Sequence, residues 1–344
     1  MLGFLLLLAC VSRPHPVVVL VSWDTTRADA LSCYGGAGAA TPVADLLAGD
    51  GLRFEWALSQ APTTLSSHTA LMSGLDSHGH GVVRNGFPVS QQLPLLAERF
   101  QDAGWDTIGV VGSTVLESAM GLDRGFRVYD DEIMLGGASH FETTADIVTR
   151  RALSQVDGRD RKGPLFLFVH YFDAHMLWDS APDEVRARFV DPGYQGPASG
   201  TLQGLERLTA AHKNGTLRSQ DANHARSLYL AEVAWMDSQL GVLLAGLEDR
   251  GLMEDSLVVL FGDHGEILED GDSYPYSHGA DVDLGATHVP LLMSGRGRFE
   301  LPRGRLVERQ VRLMDLGATI LGHVGHVNRH GEGEDLAVTW KGVA

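Results

Sequence analysis

The stretch PVVVLVS, Pro16–Ser22, decides how the rest of the chain is read. It is a continuous run of valine and leucine, bounded by a proline on one side and by a polar cluster beginning at Asp24 on the other. Such a run, with no polar alternation, suits a strand covered on both faces, as strands are in a parallel sheet. Comparable runs recur at TIGVVG (107–112), PLFLFVHYF (164–172), SLVVLFG (256–262) and HVPLLMSG (288–295). Between them lie helical patterns at LPLLAERFQDAG (93–104), at the long HARSLYLAEVAWMDSQLGVLLAGLEDRG (224–251) and at VRLMDLGATILGHVG (311–325). Strands alternating with helices predict an α/β fold, doubly wound, with a mostly parallel central sheet flanked by helices.

With 344 residues and 44% hydrophobic content, the chain can bury one large α/β domain, or one domain plus a small appendage. The domain is expected over residues 16–325, with a short tail over 326–344. Residues 179–223 are polar, rich in Gly and Pro and poorly periodic, so they read as a long excursion over the edge that carries the site. No internal repeat or low-complexity tract is visible. Lys and Arg number 27 against 44 Asp and Glu, a net charge of −17 with no basic run, which argues against a nucleic-acid partner. The opening MLGFLLLLACVSRPHP is too short an apolar run to span a bilayer and reads as an export signal and linker over residues 1–15. Leu7-Leu8-Ala9-Cys10 resembles a bacterial lipobox, which would place the protein in the periplasm or cell envelope. Its only membrane contact would then be a lipid on Cys10. Removal of the leader leaves Cys33 and no disulfide.

In a doubly wound sheet, ligand-binding groups gather beyond the carboxyl ends of the strands. VLVSWDTTRAD puts Asp24 there, FVHYFDAH puts Asp173 and His175 there, and VLFGDHGE puts Asp263 and His264 there. Two carboxylates and an imidazole can share a divalent cation once the fold brings them together, although an aspartate after a strand also serves as a helix cap. SQAPTTLSSHTALMSG (59–74) adds five hydroxyls, Thr63, Thr64, Ser66, Ser67 and Thr69, around His68 where a helix begins. They read either as helix caps or as a nucleophile lying in the positive field of a helix N-terminus.

Taken in order, VSWDTTRADALSCYG, TPVADLLAGDGLRFEWALSQAPTTLSSHTALMSGLDSHGHGV, FVHYFDAH and GDHGEILEDG followed by HVPLLMSG resemble the sulfatase family of the alkaline phosphatase superfamily, from about Val17 to Gly325. The resemblance implies a mixed sheet between helices and one divalent metal beside a nucleophile. The family's motif of Cys or Ser, any residue, Pro, Ser, Arg falls on Thr64, Leu65, Ser66, Ser67 and His68. The family oxidises its Cys or Ser to formylglycine, whose hydrate has a second hydroxyl to expel sulfate. Thr64 cannot supply that aldehyde, so no formylglycine is expected, and an unmodified threonine must rely on water to release a covalent intermediate. Other branches of the superfamily use a metal-bound Thr on phosphorus esters, so the substitution favours phosphate or phosphonate esters over sulfate esters.

The remaining roles follow from the resemblance. Asp24, Asp263, His264 and Thr64 match metal ligands, with Ca²⁺, Mn²⁺ or Zn²⁺ as the ion. His175 matches a group holding the phosphoryl or sulfuryl oxygens, and His278, in YSHG, matches a general acid. Asn85, in VVRNG, is either an oxyanion contact or a turn residue. His68 stands where sulfatases anchor the nucleophile with arginine, and Asp173 offers itself to a second metal. His78 and His80 read as loop-ordering residues. The chain departs from the family at Thr25, Ser66, His68 and Gly271, and its C-terminal subdomain is read as short or missing. The function expected is a metal-dependent hydrolase of sulfate or, with Thr64, phosphate or phosphonate esters. The alternatives are a phosphoethanolamine-type transferase using the same threonine, or a catalytically silent binding protein on the same scaffold.

Overall fold

A computed structural model describes residues 15–133, 142–160, 163–271, 274–325 and 330–341. The proposed leader with Cys10 lies outside the described residues, as does part of the tail. The strands are β1 (Val17–Trp23), β2 (Leu52–Phe54), β3 (Ala57–Leu58), β4 (Asp106–Val111), β5 (Val128–Asp130), β6 (Leu165–Tyr171), β7 (Ser256–Gly262), β8 (His288–Val289), β9 (Leu291–Gly295), β10 (Arg305–Val307) and β11 (Val311–Arg312). Eight of them form one sheet in the order β10-β2-β9-β7-β1-β6-β4-β5, and β11, β3 and β8 form a small second sheet. Within the large sheet only β9 runs against the rest, pairing antiparallel with β7 and with β2. β1 pairs parallel with β6 on one side and β7 on the other, every residue in register.

The valine run of β1 is buried along its whole length. Alternate side chains feed two cores. Val17, Val19, Val21 and Trp23 face one, and Val18 and Leu20 face the other. The first core is closed by α1 (Pro42–Asp50), and the second by α2 (Thr64–Ser73) with the short α3 (Ser77–His80) at its end and α4 (Leu96–Asp102) beside it. Back on the first face lie α5 (Ala145–Asp157), α7 (Leu202–Lys213) and the 31-residue α8 (Ser219–Asp249), with α6 (Asp183–Arg186) packed on α8. A turn of helix, α9 (Leu284–Thr287), precedes β8, and α10 (Asp315–His323) returns to the second face. The observed architecture is the expected α/β fold with a mostly parallel sheet between helices. Strands lie on both sides of β1, so the crevice at its carboxyl end is the natural ligand site.

Four segments differ from the sequence reading. Residues 179–223 are partly helical: they contain α6, α7 and the first turn of α8. Leu205 and Leu208 of α7 are buried and its N-cap Thr201 accepts a hydrogen bond from the Gly204 amide at 3.3 Å, a pattern masked by the Gly and Pro residues before it. α4 begins at Leu96 because the Glu98 carboxylate accepts from the Leu95 amide at 2.8 Å. HVPLLMSG divides at Pro290, which has no amide proton, into β8 and β9 in different sheets. The helix expected from Val311 starts at Asp315, whose carboxylate accepts from the Arg312 amide at 3.0 Å.

Leu20 lies fully buried in the central strand. Its truncation to alanine is expected to cost about 2–5 kcal/mol in denaturant unfolding, through lost transfer free energy and the cavity left behind.

Candidate active site

The turn after β1 is held from three directions. The Asp24 amide donates to the Tyr171 carbonyl at 2.9 Å, and Thr26 Oγ1 donates to the Asp24 carbonyl at 3.1 Å. Tyr229, from the middle of α8, donates its hydroxyl proton to the Thr25 carbonyl at 2.9 Å while its oxygen accepts from the Arg27 amide at 3.0 Å. This grip keeps Thr25 at φ 47°, a conformation that a β-branched residue adopts only under constraint, and its amide then donates to Asp263 Oδ1 at 3.1 Å. Arg27 is buried between Asp29 and Asp270, tying the segments after β1 and β7 together.

Asp24, Asp263 and His264 meet in the crevice, fully buried, with one donor atom from each within 4.8 Å of the others. His264 Nε2 lies 3.7 Å from Asp24 Oδ1 and 3.6 Å from Asp263 Oδ2, and neither oxygen has a hydrogen-bond partner. Burial pushes Asp24 up to about 7 and, with the neighbouring Asp24 charge, holds Asp263 well above the usual carboxylate range. Burial, with His278 nearby, keeps His264 well below the usual imidazole range, so its Nε2 lone pair is available. Two unpartnered buried oxygens and a neutral imidazole fit a divalent cation, which would offset the repulsion between the carboxylates.

Thr64 is the first residue of α2, and its Oγ1 lies 3.3 Å from both Asp24 Oδ2 and His264 Nε2. The hydroxyls of this segment do not cap the helix. Thr63 makes no side-chain cap bond, Ser66 Oγ donates to the Val82 carbonyl at 2.6 Å, and Ser67 Oγ donates to the Asp263 carbonyl at 2.6 Å. The capping acceptor is Asn85 Oδ1, which takes the Leu65 amide at 2.9 Å. Beneath the helix, His68 Nδ1 donates to the Thr64 carbonyl at 2.8 Å and Nε2 accepts from Ser22 Oγ at 2.9 Å. Burial, reinforced by His170, lowers His68 to about 3, so its ring is neutral.

Beside the cluster, His175 stacks on Phe172 at 4.3 Å and meets His278 edge-on at 4.8 Å. Burial and the neighbouring His278 lower His175 to about 3. Burial alone would also lower His278, but the buried Glu266 carboxylate, 3.2 Å from its Nδ1, outweighs this and raises it to about 9. The structure therefore sets one protonated imidazole among neutral ones.

Every residue carried over from the sequence as a ligand or catalytic group, namely Asp24, Asp263, His264, Thr64, His68, His175, His278 and Asn85, lies at this crevice or directly beneath it. Asp173 does not. Its Oδ1 accepts from the Ala145 amide at 3.0 Å at the start of α5, and it belongs to neither group of candidate ligands found among the described residues. His78 lies on the short α3, and His80 Nδ1 accepts from the Val82 amide at 3.1 Å. Two buried polar residues of the site went unread. Glu266 lies inside the quoted GDHGE, and His170 interrupts an otherwise apolar strand.

A family model described as Sulfatase matches residues 16–326. The chain belongs to the sulfatase family. Human N-sulphoglucosamine sulphohydrolase is 26% identical over 330 residues, covering 91% of this chain and 61% of that protein. N-acetylglucosamine-6-O-sulfatase of Bacteroides thetaiotaomicron is 25% identical over 181 residues, covering 49% of this chain and 32% of that protein. The chain thus spans less than two thirds of the length of these relatives. Among solved structures, phosphonate monoester hydrolase of Agrobacterium radiobacter superposes with a TM-score of 0.73 at 22% identity, covering 96% of this chain and 78% of that one. This last likeness is one of fold.

Replacing Tyr229 by phenylalanine removes both hydrogen bonds that hold the Thr25 turn. It is expected to lower stability in chemical denaturation by about 1–3 kcal/mol, the range for stranding buried polar groups.

Proposed function

We propose that the protein is a metal-dependent hydrolase of phosphorus esters, phosphate or phosphonate, in which the unmodified Thr64 hydroxyl is the nucleophile. The observation that carries this reading is the Thr64 Oγ1 position, at the first residue of a helix and 3.3 Å from both Asp24 Oδ2 and His264 Nε2. Asp24, Asp263 and His264 would hold the cation, and the imidazole donor favours Zn²⁺ or Mn²⁺ over Ca²⁺. When bound, the cation supplies a positive charge that favours the alkoxide form of a nearby hydroxyl and polarises an ester oxygen.

The chain's own residues carry the remaining steps. Thr64 Oγ, its proton released to solvent as the alkoxide forms, bonds to phosphorus as the bond to the leaving oxygen breaks, and that oxygen takes a proton from His278, which Glu266 keeps charged. The Asn85 NH₂ group steadies the phosphoryl oxygens, with His175 beside them. Water then attacks phosphorus, gives a proton back to the now neutral His278, and frees Thr64 Oγ as the alkoxide. The hydrate of a formylglycine made from cysteine or serine has a second hydroxyl with which to expel sulfate, and Thr64 lacks one. Sulfate esters, for which several relatives are named, are therefore the weaker reading.

Matched p-nitrophenyl sulfate, phosphate monoester, phosphate diester and phosphonate substrates test this, with each metal added to the metal-stripped protein. The expected result is preference for a phosphorus ester, with Thr64→Ala lowering kcat/KM on the order of 10³-fold or more and Thr64→Ser retaining activity. Preference for sulfate, or full activity in Thr64→Ala, would overturn it.

A further inference from the structure

The mechanism gives the buried imidazole of His170 no role. His170 belongs to β6, is fully buried, and stands in register with Ser22 of β1 and Val111 of β4. Its Nε2 lies 3.1 Å from Asp24 Oδ2. With Asp24 ionised, as a cation ligand must be, its oxygen only accepts and His170 Nε2 carries the proton. Asp24 Oδ2 thus faces His170 and also Thr64 Oγ1 at 3.3 Å, whereas Oδ1 has no partner and points to the crevice shared with His264. A buried carboxylate without a fixed donor can turn and exchange its oxygens. Here the donor sits in a strand paired on both sides, which leaves the ring little freedom to follow.

We infer that His170 is a positioning residue. By donating Nε2–H to Asp24 Oδ2, it holds Oδ1 toward the cation pocket formed with Asp263 and His264. The inference rests on the reading that those three residues bind a divalent cation. The same ring also belongs to a second cluster, with His68 and Asp263, whose donor atoms lie within 4.8 Å of one another. In that cluster His68 already has both nitrogens bonded, one to the Thr64 carbonyl and one to Ser22 Oγ. Ligation there would break these bonds, so His170 acts through Asp24. The sequence supports this division. Where the family's motif has arginine this chain has His68, and the space under α2 is filled by two imidazoles that hydrogen-bond to the site and bring no permanent charge to it.

The test titrates Zn²⁺ and Mn²⁺ into the metal-stripped full chain against a chromogenic chelator, for wild type, His170→Ala, His170→Gln and Asp263→Ala. Wild type is expected to bind one cation and Asp263→Ala to lose most of that affinity. His170→Ala should bind about 10–100-fold more weakly at unchanged stoichiometry, the usual effect of removing a hydrogen-bond donor behind a metal ligand. His170→Gln, whose carboxamide can donate from the same side, should recover most of the loss. Wild-type binding in His170→Ala overturns the inference alone. A fall from two bound cations to one in both His170 variants also overturns it, because His170 would then be a ligand. A wild type that binds no divalent cation removes the metal reading and this inference together. Nitrogen-15 histidine spectra of wild type decide the point whether or not a variant folds. The His170 Nε2 proton is expected to persist when Zn²⁺ is added, and its loss would contradict the positioning role.

Discussion

The site is organised around the repulsion between two carboxylates, Asp24 and Asp263, buried together at the carboxyl ends of adjacent strands. Two such charges out of water are unfavourable unless something of opposite sign joins them. The surroundings supply only partial relief. The Thr25 amide and the His264 amide both donate to Asp263 Oδ1, and His170 Nε2 lies 3.1 Å from Asp24 Oδ2, while Asp24 Oδ1 and Asp263 Oδ2 are left bare. His264 turns a neutral nitrogen toward the same space. A dication would complete this arrangement, and the tight turn at Thr25, with Tyr229 bracing it from α8, keeps the first strand's contribution in place.

The position of the proposed nucleophile follows from the same geometry. Because Asn85 supplies the helix cap, the Thr64 hydroxyl is free of capping duty and lies against Asp24 and His264. Ser66 and Ser67 spend their hydroxyls on neighbouring carbonyls, so Thr64 is the hydroxyl of this group that faces the candidate ligands. On the other side, Glu266 gives His278 a charge that its burial alone would deny. The proposed chemistry therefore divides between an end that favours an alkoxide and an end that donates a proton.

Much of this was legible in the sequence, for identifiable reasons. The valine run of β1 is apolar on both faces, and the short strand-end clusters announce themselves because Asp and His follow directly on apolar residues. Asn85 was ambiguous because RNG is a turn signal and a cap on another segment looks the same in one dimension. Tyr229 could not be read, since α8 is buried on much of its surface and nothing in its pattern marks a hydroxyl aimed some 200 residues back at Thr25. His170 left a readable trace. In β6 the side chains of Phe166, Phe168 and His170 share one face, and a polar residue ending such a row near a ligand edge deserves a functional reading. The reversal of β9 was hidden, because an apolar run does not encode strand direction, and α7 was hidden by the glycines and prolines that precede it.

The most direct test of the account is to quench the protein during turnover of a phosphate or phosphonate ester, digest it, and locate any covalent adduct by mass spectrometry. The account predicts a phosphoryl or phosphonyl group on the peptide containing Thr64, absent from the Thr64→Ala variant and from metal-stripped protein. Turnover that leaves the adduct on another residue, or formylglycine found within this peptide, would contradict it.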